Sequence, residues 1–140
     1  MGQKEPTEEE VQLLEEAREA REKAFAYESG YKVGAAVLTE KGIYQGCNIE
    51  VSGRSTSVHA EMLSVFNAVM DGAKEFHTIA ISPQGETGVA PCGLCQHTMA
   101  QFVEDDLEIL EDLGNNEQVT VYSLDNLIGP AYNPSTRDRN

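Results

Sequence analysis

The 140-residue sequence predicts one α/β domain, a sheet covered by helices on its faces. Three observations carry that expectation. Segments of helical periodicity alternate with short apolar runs in the order helix, strand, strand, helix, strand, helix, strand. The chain is long enough to bury a core without disulfide staples. No internal repeat or low-complexity stretch interrupts it, so residues 1–140 read as a single unit with a polar, loose tail after about 132.

The elements follow in order. Thr7 and Glu10 have capping-box spacing, and Val11, Leu14, Ala17, Ala20 and Ala24 recur at helical intervals, so residues 8–27 read as an amphipathic helix. Tyr31 to Leu38 and Ile43 to Cys47 are apolar runs around the turn-forming Lys41-Gly42, which predicts a hairpin. Residues 59–71 are periodic and stop at Gly72, a suitable helix-terminating glycine. His77 to Ser82 has the composition of a buried strand. After a loop containing Gly and Pro, a helix is expected from about Cys92 to Glu104. Glu117 to Ser123 reads as the last strand, with a short helix over Leu124 to Ile128.

The net charge of −14 narrows the partners. Such a surface repels phosphate backbones, and nucleic-acid binding rests on Lys and Arg neutralising them, so no nucleic-acid partner is expected. An acidic, solvated surface of the kind seen in salt-adapted proteins accounts for the charge. No apolar run approaches the roughly 18 residues of a membrane span. The N-terminal MGQKEPTEEE lacks the apolar region of a signal peptide, so the cytoplasm is the expected compartment and no membrane partner is expected.

The chemistry concentrates in two short motifs. Of three cysteines, Cys92 and Cys95 form a C-x-x-C after Pro91, at an expected helix start. Without a secretion signal, that pattern favours metal or catalysis over a disulfide framework. Helix N-terminal amides lower thiol pKa values, and both thiolates can face one point. Catalytic zinc takes three protein ligands and leaves one position for water. His59, at the start of the other strongly periodic helix, completes the set. Two thiolates and a neutral imidazole cancel the divalent charge, and zinc brings the pKa of a bound water to about 7. Glu61 lies two residues beyond His59. At a first helical turn its carboxylate can lean over the open position and move protons there.

Each signal has a bland counterpart. An isolated C-x-x-C is compatible with redox or structural-zinc roles. A lone His at a helix start is usually a cap or surface residue, and His-x-Glu alone is weak. Together, HAE and PCGLC, with 32 residues between His59 and Cys92, are far more specific.

The H-x-E…P-C-x-x-C pattern is the recognised signature of zinc deaminases. Over roughly residues 10–132 the chain resembles the cytidine deaminases, on VGAAV at 33–37, GCNIE at 46–50, HAE at 59–61 and PCGLC at 91–95. The resemblance implies a three-layer α/β/α fold with a central mixed sheet and one zinc ion per chain. It implies hydrolysis of cytidine and deoxycytidine to the uracil nucleosides, with ammonia released, in pyrimidine salvage. It also implies Asn48 and Glu50 as anchors of the ribose, Tyr31 as the aromatic residue near the base, and Ala60 as a further substrate-binding position. Family members of this length are usually homotetramers, which implies a homo-oligomer here, a tetramer ahead of a dimer. Without the resemblance, Asn48-Ile49-Glu50 reads as an ordinary strand exit and Tyr31 as plain core.

Three departures from the family pattern bear on the substrate. Val51-Ser52-Gly53-Arg54 stands where the family often has N-A-S-Y, and Gln96-His97 follows Cys95 where Arg-Gln is usual. Short members typically have Cys at the His59 position and an Arg after the Glu. Here His59 and Met62 replace them consistently, because a neutral ligand removes the need for a compensating cation. Two further readings remain: deamination of a modified cytosine nucleoside such as an antibiotic, and a structural zinc module that binds a protein. A closed structural site needs a fourth ligand, which only Cys47, His77 or His97 offers. Cys47 reads as core, His77 as a strand-start residue and His97 as a helix-face residue.

Overall fold

The computed structural model describes residues 2–53, 56–85 and 90–128. Its elements are β1 (Gly2–Lys4), α1 (Glu8–Arg21), β2 (Val33–Thr39), β3 (Gly42–Cys47), α2 (Ala60–Met70), β4 (Phe76–Pro83), α3 (Gly93–Phe102), β5 (Glu108–Asp112), β6 (Val119–Ser123) and α4 (Leu124–Ile128). The six strands form one sheet in the order β1-β6-β5-β4-β2-β3. β4 and β5 run parallel, joined through α3, while the other neighbouring pairs are antiparallel. The sheet is therefore mixed, as expected.

Strand alternation sorts the core into two layers. Ala36, Ala80, Leu110 and Val119 pack with Leu13, Leu14 and Ala17 of α1. Ala35, Val37, Ile79, Ile81 and Ile109, one residue out of phase, pack with Ala60, Val65 and Ala68 of α2 and with Cys95, Met99 and Ala100 of α3. Helices cover both faces, with α2 and α3 on the same one.

The expected elements recur with shifted ends. Thr7 caps α1 through the capping box read from the sequence. The helix stops at Arg21 and not near 27, because tertiary hydrogen bonds claim the backbone beyond it. Phe25 N–H donates to Asn48 O at 2.9 Å, and Glu50 N–H donates to Phe25 O at 2.8 Å. Tyr31 and Lys32 precede β2, which starts at Val33. Gly72, at φ 91°, follows α2 as the terminating glycine.

Two strands escaped the sequence reading. β1 is three residues long and held by pairing with β6 and by a Lys4–Glu10 ion pair at 2.9 Å. β5 is buried in the middle of the sheet yet carries Glu111 and Asp112, at 1% and 4% exposure. Arg18 of α1 resolves Asp112: its Nε and Nη2 donate to the two carboxylate oxygens at 2.8 Å each, and Ser82 Oγ donates to one of them. Burial alone would raise the Asp112 carboxyl, but the Arg18 hydrogen bonds, with those from Gly114 and Ser82, hold it below its usual range. The described part of the tail stops at residue 128, so the expected loose end lies outside the described residues.

Two glycines set how closely helices approach the hairpin. A Cβ on Gly34 would lie 2.0 Å from Ala17 O, and one on Gly46 would lie 2.4 Å from Ala60 O and 2.3 Å from Ser64 N. Those contacts are backbone and cannot swing aside. Gly46→Ala is therefore expected to destabilise the fold by about 3 kcal/mol or more in chemical denaturation, the upper range of overpacking. A loss below about 1 kcal/mol would show that α2 can retreat without cost.

Candidate active site

Helix starts position the reactive residues. His59 is the residue that precedes α2, with extended backbone at φ −83°, ψ 157°. Because the helix begins only at Ala60, Glu61 falls in the first turn, and both side chains reach one pocket despite their two-residue separation. Cys92 plays the same part for α3: its Sγ accepts from Cys95 N–H at 3.5 Å, a thiol in the role a serine usually fills. Gln96 Nε2 donates to Pro91 O at 2.8 Å and fixes the approach to this turn.

These two turns bring three donor atoms together. His59 Nδ1 lies 3.2 Å from Cys95 Sγ and 3.4 Å from Cys92 Sγ, and the two sulfurs are 3.5 Å apart. Among the described residues, His59, Cys92 and Cys95 form the one group with potential ligand atoms within 4.8 Å of one another. Tetrahedral zinc with nitrogen and sulfur donors has edges of roughly 3.6 Å, so a small outward movement of the donors admits the ion. The donor chemistry also fits. Burial pushes the Cys95 thiol up, reinforced by the negative charges of Glu61 and Cys92, and a divalent cation within the set reverses that balance.

Glu61 is 7% exposed beside this group. Burial pushes its carboxyl above the usual carboxylate range, against the opposing pull of a Cys95 hydrogen bond and the nearby His59. A carboxyl buried beside a metal set is placed to exchange protons with a water held there.

A cavity of about 640 Å³ opens over the site, within the size range of small-ligand pockets. Its walls include every residue singled out from the sequence for substrate, Tyr31, Asn48, Glu50 and Ala60, together with His59, Glu61 and Cys92. Cys95 lies behind this wall in the core. Asn48 bridges two backbones: Oδ1 accepts from Val33 N–H at 2.9 Å, and Nδ2 donates to Tyr31 O at 2.8 Å. Glu50 accepts from the amides of Glu28 and Ser29 and from the Ser29 hydroxyl.

The sequence reading gave no substrate role to Ser29, Val33, Ser57, Val58, Ile81, Pro83, Ala90 and Pro91, which also line the cavity. Ser57 carried a faint signal, standing two residues before His59. The others are brought in by the sheet and its loops. Gln96 and His97 are not on the wall: Gln96 is spent on Pro91 O, and His97 is exposed on α3. Arg54 lies outside the described residues. Cys47 is buried, as read, and His77 is an exposed residue near the start of β4.

A family model described as the cytidine and deoxycytidylate deaminase zinc-binding region matches residues 7–110. The chain belongs to this zinc-binding deaminase family. A cytidine deaminase of Sporosarcina psychrophila is 41% identical over 115 residues, covering 80% of this chain and 85% of that protein. The crystal structure of a cytidine deaminase from Burkholderia pseudomallei superposes with a TM-score of 0.79 at 33% identity, covering 91% of this chain and all of that one. A blasticidin-S deaminase of Bacillus cereus is 28% identical over 128 residues, 84% of this chain and 90% of its own. Membership in the deaminase family makes His59, Cys92 and Cys95 the candidate zinc site, and the match in fold extends beyond the motifs to the mixed sheet and its helices.

Proposed function

We propose that this enzyme hydrolyses the 4-amino group of cytidine and deoxycytidine, releasing ammonia and leaving the uracil nucleoside. The observation that carries the reading is the buried Glu61 carboxyl beside the convergent His59, Cys92 and Cys95 donors, at the floor of a nucleoside-sized pocket. His59, Cys92 and Cys95 would hold the zinc ion, whose chemistry there would be to acidify a water at the open position. Glu61 would take one proton of that water and give it to the ring nitrogen as the water oxygen bonds to the amino-bearing carbon. It would then carry the second proton to the amine as the carbon–nitrogen bond breaks, leaving the carbonyl of uracil and releasing ammonia. Ala60 and Tyr31 shape the base subsite, while Asn48 and Glu50 hold the sugar.

An ultraviolet assay of cytidine, deoxycytidine, cytosine, adenosine and blasticidin S in parallel tests this. Turnover of neither cytosine nucleoside would overturn it. The likeness to a blasticidin-S deaminase favours a second reading, deamination of a cytosine antibiotic, which the same assay separates by a preference for blasticidin S.

If Asn48 and Glu50 read the sugar, a ligand without it forfeits the hydrogen bonds that its hydroxyls would make there. Free cytosine is expected to be a very poor substrate. Glu50→Ala should raise KM for cytidine while zinc content, read by atomic emission, stays at one ion per chain. Equal use of cytosine and cytidine would remove the sugar from the reading.

The remaining features support a free small-molecule substrate, in a single domain working in cytoplasmic pyrimidine salvage. The charge of −14 opposes polynucleotide binding, and among the described residues no helix is long and apolar enough to cross a membrane. Phe66, Val69 and Met70 leave apolar surface exposed along α2, Met70 at 89%, which supports association into a homo-oligomer, and the family resemblance puts a tetramer ahead of a dimer. Sedimentation equilibrium reporting a monomer at working concentration would overturn that assembly.

A further inference from the structure

We propose that Ser29 is a positioning residue that fixes the Glu50 carboxylate for the sugar, an inference resting on the reading of Glu50 as a sugar anchor. The turn over residues 26–30 closes through Gly30 N–H to Ala26 O at 2.8 Å, with Gly30 at φ 70°. It presents the amides of Glu28 and Ser29 to the same oxygen, Glu50 Oε1, at 3.0 and 2.9 Å. Two donors on one oxygen locate that atom, and a donor on the other oxygen fixes the plane of the carboxylate, because the last torsion of a glutamate is soft. The Ser29 hydroxyl supplies the second point, 2.5 Å from Oε2.

The direction of that hydroxyl is itself set. Tyr31 N–H donates to Ser29 Oγ at 3.0 Å, which occupies a lone pair and leaves the O–H to point at the carboxylate. Ser29 therefore couples two parts of the pocket wall, the main chain of Tyr31 and the carboxylate of Glu50. Both border the same cavity as Ser29. A charge-assisted hydrogen bond of this kind orders the acceptor before substrate arrives, so its benefit falls on binding and not on the proton transfers at Glu61.

The test is a double-mutant cycle with cytidine as substrate, using Ser29→Ala, Ser29→Thr, Glu50→Ala and the Ser29→Ala/Glu50→Ala pair. Ser29→Ala is expected to raise KM about tenfold, the effect of one hydrogen bond to a charged group, with kcat within about twofold and zinc content unchanged. Ser29→Thr, which keeps the hydroxyl, should restore most of the binding. In the Glu50→Ala background, Ser29→Ala should cost nothing further. An unchanged KM in Ser29→Ala, or the same rise with and without Glu50, overturns the clamp while the sugar assignment stands. If Glu50→Ala itself leaves KM unchanged, the sugar assignment falls and the clamp falls with it.

Discussion

Glu61→Gln is expected to keep fold and zinc and to lower kcat for cytidine by at least roughly 10²–10⁴, the range of general acid–base catalysis. Glutamine preserves the shape and a hydrogen-bonding end, so the packing of the first turn of α2 survives. It cannot accept a proton from the water or return one to the ring and the leaving amine. The loss should appear in kcat far more than in KM, because the carboxyl acts on developing charge and not on sugar recognition. Retained zinc is part of the expectation, since Glu61 stands beside the donor set and outside it. A variant that loses its metal, or one that turns over at an undiminished rate, would show that Glu61 has another role.

Cys92→Ala is expected to abolish both metal binding and turnover. The substitution leaves two donors, one of them Cys95, whose thiol burial already pushes toward the protonated form. It also removes the sulfur that accepts from Cys95 N–H at the start of α3. Because a ligand that binds the native state stabilises it by mass action, wild-type protein should melt at a higher temperature with zinc than after chelation. Cys92→Ala should melt at the same temperature in both conditions. Full activity in metal-free wild-type protein would end the zinc reading.

The site was more legible in the sequence than the sheet that holds it. His59, Glu61, Cys92 and Cys95 are few in number and specific in chemistry, and their spacing at two helix starts survives without knowledge of the tertiary fold. Glu108 to Asp112 shows the opposite case. Acidic residues at 108, 111 and 112 disguise a central strand, because the partner that makes Asp112 tolerable, Arg18, lies 94 positions away. The end of α1 was misplaced for a related reason. Alanines at 20 and 24 continue the helical pattern, but hydrogen bonds from the 48–50 segment take the backbone at Phe25. The turn that presents Ser29 exists through those contacts, and neither helical nor strand periodicity announces it.

The paired glycines of the β2–β3 hairpin have a consequence for how this protein can change over generations. Gly34 pairs with Cys47 and Gly46 with Ala35, on adjacent rungs, and each is pressed by the backbone of a different helix. At those two points the molecule has no spare thickness. Any side chain at 46 would push back the peptide group of Ala60, which stands between His59 and Glu61, so a change far from any ligand would move both reactive residues at once. Drift in substrate preference is therefore channelled to wall positions away from these contacts, such as Ser57, where the lining can vary while the spacing between helix and sheet is kept.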